Sequence, residues 1–143
     1  MKREPETAPN VEQAVPLLMV ADLEKSLQFY VAGLGFAMTN EWIDEGRRQW
    51  CRLRLGGAAL MLQQYRPGRA PEGPLGSGVS ICFQCRDALA VYRRMRSRGL
   101  PATRPFVGNQ MWVAVVRDPD GYKLDFESPT DVPEGTELPE QTE

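Results

Sequence analysis

An internal repeat constrains the fold more than any other feature of this sequence. In each of two copies, a short apolar run leads to an aspartate suited to cap a helix, Asp22 in the first copy and Asp87 in the second. Apolar residues then recur at helical spacing until a glycine ends the helix. Three strand-like runs follow, and Gly57 and Gly121 open the last of these. The pattern predicts an α+β fold of two βαβββ modules in tandem.

The predicted boundaries divide the chain into two modules, a linker and two tails. Module one covers residues 13–65, module two covers residues 79–130, and a stretch rich in Pro and Gly at 66–78 links them. Residues 1–12 and 131–143 combine proline and charge with few apolar residues, so we expect flexible tails, the second of them acidic. The predicted strands are residues 15–20, 37–43, 48–55, 58–64, 80–85, 102–107, 111–117 and 121–127.

Alternation along each strand separates a face covered by the helix from a face left open. In the last strand Lys123, Asp125 and Glu127 alternate with apolar residues, so three charged side chains share one face. Because each helix covers only one face, we predict that the other faces of two curved sheets enclose a groove. The residues predicted to face it are Val15, Leu17, Met19, Ala59, Met61, Gln63, Ser80, Cys82, Gln84, Lys123, Asp125 and Glu127.

Two tryptophans are further candidates for this groove. Trp50 and Trp112 each lie on the third strand of a module and could offer stacking surface to a ligand. The sequence does not fix the register of these strands, so both side chains could instead be core or dimer contacts. The three charged residues of the last strand could likewise face solvent at an open sheet edge.

Composition excludes several classes of function. The 143 residues contain no histidine, so the usual general base near neutral pH and the commonest metal ligand are missing. Residues 15–130 carry a net charge of +4, which is too mild and too scattered to indicate a nucleic-acid surface. No apolar run approaches the roughly 20 residues of a membrane span. The first residues lack the apolar run of a secretory signal, so we expect a cytoplasmic protein without nucleic-acid or membrane partners.

The cysteines give no sign of redox chemistry. Their number is odd, which argues against a disulfide framework. Cys82 and Cys85 have the C-x-x-C spacing, but they lie in a strand-like run, where positions three apart point to opposite faces. We therefore expect these two cysteines to pack in the structure rather than to act as a redox pair.

Three stretches carry a resemblance to a known superfamily. Residues 15–30, 33–36 and 117–122 resemble the vicinal oxygen chelate superfamily, which includes glyoxalase I, extradiol dioxygenases and the bleomycin-resistance proteins. The resemblance covers about residues 13–130 and implies a glyoxalase/bleomycin-resistance-like fold. Members commonly form dimers whose grooves use both chains, so the resemblance also implies a homodimer here.

The resemblance places four positions where metal-dependent members hold a divalent ion. Carried over by position, these are Val15, Met61, Ser80 and Asp125. A valine cannot bind a metal, and a thioether is a poor ligand for the hard or borderline ions of this superfamily. The chain therefore looks like the metal-free, bleomycin-resistance-like branch, and we expect neither a metal nor another cofactor.

The sequence predicts a protein that binds a small molecule without chemistry. In this hypothesis Val15, Leu17, Met19 and Met61 form an apolar wall of the groove. The residues predicted to complete the site are Trp50, Gln63, Ser80, Gln84, Trp112, Asp125 and Glu127. Such an apolar cleft with few polar groups is typical of small-molecule sites.

Two alternatives remain open at this stage. The first is a metal-free isomerase, epimerase or lyase in which Asp125 and Glu127 act as acid and base, because close carboxylates in a dry cleft can raise one another's pKa. The cation of Lys123 on the same face works against it. The second alternative is a non-enzymatic dimeric regulatory subunit.

Overall fold

The computed structural model describes residues 9–140, which form two modules of the same order. No helix in this part of the chain is long and apolar enough to cross a membrane. In module one the elements are β1 (Leu17–Val20), α1 (Leu23–Leu27) with its π-helical continuation (Gln28–Gly33), β2 (Ala37–Asp44), β3 (Arg47–Leu55) and β4 (Ala58–Gln64). In module two they are β5 (Ser80–Gln84), α2 (Ala88–Ser97), β6 (Phe106–Gly108), β7 (Met111–Arg117) and β8 (Lys123–Pro129).

The strands form two four-stranded sheets with equivalent topology. Their orders are β1-β4-β3-β2 and β5-β8-β7-β6. The first strand of each module runs parallel to the last, and the other pairs are antiparallel. The predicted α+β fold of two βαβββ modules is confirmed.

Both helices begin where the capping aspartates predict. Asp22 Oδ1 accepts a hydrogen bond from Lys25 N at 3.2 Å, and Asp87 Oδ1 accepts one from Ala90 N at 3.0 Å. Each bond satisfies a backbone donor that the first helical turn would otherwise leave unpaired. The first helix then widens into its π-helical segment, which the apolar spacing alone did not indicate.

Two strands of module two differ from the predicted bounds. The strand predicted at 102–107 is replaced by β6, which begins only at Phe106, because Pro105 cannot donate to a sheet ladder. The strand predicted at 121–127 begins two residues later as β8. Asp118 Oδ1 accepts from the backbone N of both Asp120 and Tyr122, each at 2.9 Å, so the preceding turn extends to Tyr122.

The helix-facing sides of both sheets contribute to one shared core. Buried residues of β1 and β4 belong to the same cluster as those of β5 and β8. Aromatic rings connect the modules: the ring centroids of Phe36 and Phe83 are 6.1 Å apart, and Phe83 stacks on Phe126 at 4.8 Å. Full burial of each such side chain contributes about 1.5–3 kcal/mol. The modules therefore pack through their helix sides.

The turn between β7 and β8 packs against α1 of the other module, and we call this contact the α1 junction. Tyr30 Oη donates to Asp118 Oδ2 at 2.7 Å, and both groups are buried. Ser26 Oγ donates to Asp120 Oδ2 at 3.5 Å. Tyr122 Oη donates to the carbonyl oxygen of Met19 at 2.8 Å. Side chains from both modules therefore fill this junction.

The segment after β8 packs along β6, which differs from the flexible tail predicted at 131–143. Val107 N donates to Thr136 O at 2.8 Å, and Gly135 N donates to Val107 O at 2.9 Å. Glu134 accepts from the backbone of the β6–β7 turn. The pairing protects the edge of β6, a strand edge that would otherwise expose unpaired backbone groups. Residues 141–143, like 1–8 of the other predicted tail, lie outside the described residues.

Candidate functional site

The first sheet has an open face on the side opposite to its helix, and five predicted site residues lie on it. Leu17 is in register with Met61, and Met19 with Gln63. β3 pairs with the other edge of β4, and there Trp50 is in register with Gln63. Directly paired residues point to the same side of a sheet, so Trp50 shares this face. We call Leu17, Met19, Trp50, Met61 and Gln63 the first open face.

The surroundings of the first open face are apolar and basic. Arg52 and Arg54 follow Trp50 at alternate positions of β3 and lie on the same side. Trp42 pairs with Trp50 and is 53% exposed, and Leu17 is 43% exposed. Exposed large apolar side chains that cluster in this way are typical of a ligand or protein contact.

Val15 lies just before β1, next to this face. It is half-buried and continues the alternation of Leu17 and Met19. The following residue, Pro16, accepts a hydrogen bond through its carbonyl oxygen from Met61 N at 2.8 Å. This bond holds the segment beside β4.

The second sheet has its own open face, which is polar. Ser80 is in register with Lys123, Cys82 with Asp125, and Gln84 with Glu127. We call these six residues the second open face. In this register the charged residues of β8 share one face, as the alternation along the strand predicted.

Hydrogen bonds connect the charged groups of the second open face. Lys123 Nζ lies 3.2 Å from Asp125 Oδ2, and Gln84 Nε2 donates to Glu127 Oε1 at 3.2 Å. Asp125 is only 8% exposed. Its Oδ1 is buried and has no hydrogen-bond partner within residues 9–140, which is unusual because a buried polar atom normally has one.

Trp112 does not lie on the second open face. It is in register with Ser128, and Ser128 Oγ accepts a hydrogen bond from Ala88 N at the start of α2. Both residues therefore point to the helix side of the sheet. The prediction that Trp112 lines the groove is wrong, and the error is one of strand register.

The donor atoms at the four metal positions do not fit a divalent ion. Met61 lies on the first open face, whereas Ser80 and Asp125 lie on the second. The nearest cation to Asp125 is the ammonium group of Lys123, which takes up one carboxylate oxygen. In the part of the chain that the structure describes, no three His, Cys, Asp or Glu side chains are grouped as a metal site requires.

Within residues 9–140 the two open faces do not enclose a groove. Their sheets are joined through the shared core, so the open faces lie on outer sides of the molecule. None of the four main cavities formed by residues 9–140 is lined by residues of both faces.

The surroundings of the three cysteines make them poor nucleophiles. Desolvation raises the pKa of Cys51 to about 11. Burial also raises the pKa of Cys85, and partial burial together with the Glu127 carboxylate raises the pKa of Cys82. The thiolate is the reactive form of cysteine. Cys51 is buried and Cys85 is half-buried, whereas Cys82 is exposed on the second open face, so the packing expected for the C-x-x-C pair does not hold for Cys82.

A cavity that the sequence did not indicate lies between the modules, where the β3–β4 turn faces α2. Its volume is about 590 Å³, within the range of small-molecule sites. Alignment of the two repeats could have revealed it, because small residues of this turn stand where the other module has large ones. The side chains that matter most at its wall are those of Leu55, Ala58, Phe83, Val91, Arg94 and Met95.

Comparison with known proteins gives a consistent family. The model of the Glyoxalase/Bleomycin resistance protein/Dioxygenase superfamily matches residues 12–126. A lactoylglutathione lyase from Pseudomonas putida is 25% identical over 145 residues, which cover 80% of this chain and 83% of the relative. The uncharacterized protein YetH from Bacillus subtilis is 30% identical over 107 residues, which cover 71% of this chain and 85% of YetH.

A solved structure extends the similarity to an antibiotic binding protein. TnmS3, an antibiotic binding protein from Streptomyces sp. CB03234, is 25% identical and superposes with a TM-score of 0.68. The alignment covers 85% of this chain and 99% of TnmS3.

Proposed function

Because the chain belongs to the glyoxalase/bleomycin resistance protein/dioxygenase superfamily, we propose that it binds a small molecule without a metal and without converting it. The observation that carries this proposal is the pairing of Lys123 with Asp125. It places an ammonium group at the last-strand position where metal-dependent members hold their ion. The antibiotic-binding protein TnmS3 supports the ligand-binding part of the proposal.

The ligand lies, in this proposal, between the first open face of one copy and the second open face of another. The first face supplies the apolar and aromatic wall of Leu17, Met61 and Trp50, and the second supplies the carboxylates of Asp125 and Glu127. A ligand that combines aromatic rings with cationic or hydroxyl groups matches both faces. The exposed Trp42 and Leu17 agree with a face that is covered in the assembled protein.

A thermal-shift screen of metal-stripped protein tests this function. It compares divalent metals with a panel of cationic aromatic and hydroxylated compounds. A compound present at 100 times its Kd is expected to stabilise the protein by about 2.7 kcal/mol, whereas divalent metals give no shift. A clear shift with a divalent metal contradicts the proposal. Chromatography shows whether a bound compound is converted, and conversion supports the acid–base alternative instead.

Matched tryptophan variants locate the ligand. Trp50→Phe is expected to weaken binding about tenfold through lost stacking and contact area, whereas Trp112→Phe, on the helix side of the other sheet, leaves the Kd unchanged. Light scattering after size exclusion measures the mass of the binding species. Binding of equal affinity to a monomer contradicts the two-chain groove.

A further inference from the structure

The modules meet at two pseudo-equivalent junctions, which the repeat allows us to compare position by position. One is the α1 junction. The other, which we call the α2 junction, is where the β3–β4 turn faces α2. Tyr30 lies eight residues after the capping Asp22, and Met95 lies eight residues after the capping Asp87. Tyr30 and Met95 are therefore equivalent residues of the two helices.

The turns are equivalent in the same way. Asp120 and Gly56 each precede the glycine that opens the last strand, and Tyr122 and Ala58 each follow it. At the α1 junction the aspartate and the tyrosine fill the space and bond to module one. At the α2 junction glycine and alanine replace them.

The loss of these side chains leaves the α2 junction open. Where the α1 junction has a buried tyrosine–carboxylate hydrogen bond, the α2 junction has the thioether of Met95, and the cavity of about 590 Å³ occupies the space. Leu55, Val91 and Phe83 make its wall apolar. β5 is an edge strand, so backbone groups on its unpaired side also reach this wall.

The charge at this cavity is of one sign. Arg94 is the one charged residue that lines it within residues 9–140, and its guanidinium group makes no ion pair with these residues. Arg98 lies close by: Arg94 Nη2 and Arg98 Nη1 are 3.7 and 3.6 Å from the point where a Cβ on Gly35 would lie. Arg98 is held there by a 3.1 Å hydrogen bond to Gly33 O. One end of the cavity is therefore cationic.

We propose that the α2 junction is a second binding site, which takes an apolar carboxylate such as a medium-chain fatty acid. The carboxylate pairs with Arg94, since guanidinium groups bind carboxylates with two parallel hydrogen bonds. The apolar chain packs between Val91, Met95 and Leu55. Cys82 and Gln84 of the second open face also line this cavity. Its walls belong to one chain, so the site does not depend on the groove between two copies.

Titration calorimetry with decanoate tests the proposal on the full-length protein. Decanol has the same chain without the charge, and decyltrimethylammonium carries the opposite charge. We expect saturable binding of one decanoate per chain and at least tenfold weaker binding of the other two. Equal binding of all three compounds, or absence of decanoate binding, overturns the proposal.

Two variants assign the site. Ala58→Tyr gives the α2 junction the side chain of the α1 junction, so it is expected to fill the cavity and abolish decanoate binding. Arg94→Ala removes the cation and is expected to raise the Kd of decanoate about tenfold, which corresponds to about 1.4 kcal/mol, while the Kd of decanol stays constant. Arg93→Ala, on the exposed side of the same helix, is the matched control.

Arg94 is exposed, so Arg94→Ala is expected to fold even if Ala58→Tyr does not. The comparison of Arg94→Ala with Arg93→Ala therefore decides the question by itself. Circular dichroism of each variant verifies the fold. If Arg94→Ala and Arg93→Ala bind decanoate as tightly as the unchanged protein does, the anion does not lie at the α2 junction and the proposal fails.

Discussion

The α1 junction and the α2 junction are made from equivalent elements, yet one is filled with hydrogen-bonded side chains and the other contains a cavity. At the α1 junction, Tyr30 bonds to Asp118 and Tyr122 bonds to Met19 across the modules. At the α2 junction, Met95 and Ala58 stand at the places of the two tyrosines, and space remains. The backbone therefore permits either outcome, and a few side chains decide which one occurs.

This division of roles has a mechanical consequence. A buried hydrogen-bond network rigidifies the elements that it joins, so the α1 junction fixes the position of module two relative to module one. The α2 junction can then remain open without loss of that arrangement. The following predictions measure how unequal the two junctions are.

The largest effect is expected for Asp118→Ala. The carboxylate accepts three hydrogen bonds, from Tyr30 Oη and from the backbone N of Asp120 and Tyr122. Its removal leaves these donors without their partner in a buried turn, so we expect a loss of about 3 kcal/mol in the free energy of unfolding. Urea unfolding followed by circular dichroism measures it.

Arg54→Ala is the matched control for this substitution. Arg54 stands three residues before the glycine of its turn, as Asp118 does in the other module. It is exposed, and its guanidinium bonds only to Gly56 O among the described residues. We expect a change within about 0.5 kcal/mol. Equal losses for the two variants would mean that the junctions are energetically alike.

A smaller loss is expected for Gly76→Ala. Gly76 is buried in the linker against the β7–β8 turn, and a Cβ there would overlap with the backbone of Tyr122. Backbone cannot move aside as a flexible side chain can, so we expect a loss of about 2 kcal/mol in the free energy of unfolding. Thermal and urea unfolding measure it.

Gly57→Ala gives the corresponding measurement at the α2 junction. A Cβ at Gly57 would meet nothing within 4 Å among the described residues, and its φ is not in the left-handed region. The expected change is therefore within about 0.5 kcal/mol. A loss as large as that of Gly76→Ala would show that the α2 junction is as tightly packed as the α1 junction.

The sequence predicted those parts of the fold that depend on local pattern. Capping aspartates, helical spacing and turn glycines are signals within a few residues, and they gave both helices and the order of all eight strands. Alternation also placed Met61 on one open face and Asp125 on the other. These assignments follow from the two-residue period of a strand, which needs no knowledge of distant contacts.

Features that depend on contacts between modules could not be obtained in the same way. Alternation identifies the two sides of a sheet but not what covers each side, so it could not show whether the two open faces meet within one chain. The register of β7, and with it the side of Trp112, depends on pairing with β8. The bond between Tyr30 and Asp118 joins residues 88 positions apart. The sequence showed Asp118 only as a turn residue.

A more moderate effect is expected for Tyr30→Phe, which removes one hydroxyl group from the α1 junction. Asp118 keeps its two backbone donors, but its Oδ2 loses the partner at 2.7 Å. We expect a loss of about 1.5 kcal/mol in the free energy of unfolding. Tyr92→Phe on α2, whose hydroxyl makes no hydrogen bond to the described residues, is the control and should change stability little. A double-mutant cycle with Asp118→Asn isolates the pair.

The smallest effect is a change in how stability depends on pH. Burial raises the pKa of Asp118 above its ordinary value of 3.8, although Tyr30 and two backbone donors act in the opposite direction. The folded protein therefore holds this proton more tightly than the unfolded chain does. The stabilisation that results is fully present below pH 3.8 and is lost as the pH rises through the raised pKa.

Asp118→Asn removes this titration while it keeps the geometry of the α1 junction. The amide oxygen can accept from the same two backbone N–H groups, and the amide nitrogen can donate to Tyr30 Oη. The free energy of unfolding of the unchanged protein, minus that of Asp118→Asn, should fall as the pH rises from about 4 and then level off. Urea unfolding of both proteins between pH 4 and pH 7 measures this difference. A difference that is constant or rises with pH would mean that the hydrogen bonds to Asp118, and not its burial, dominate the α1 junction.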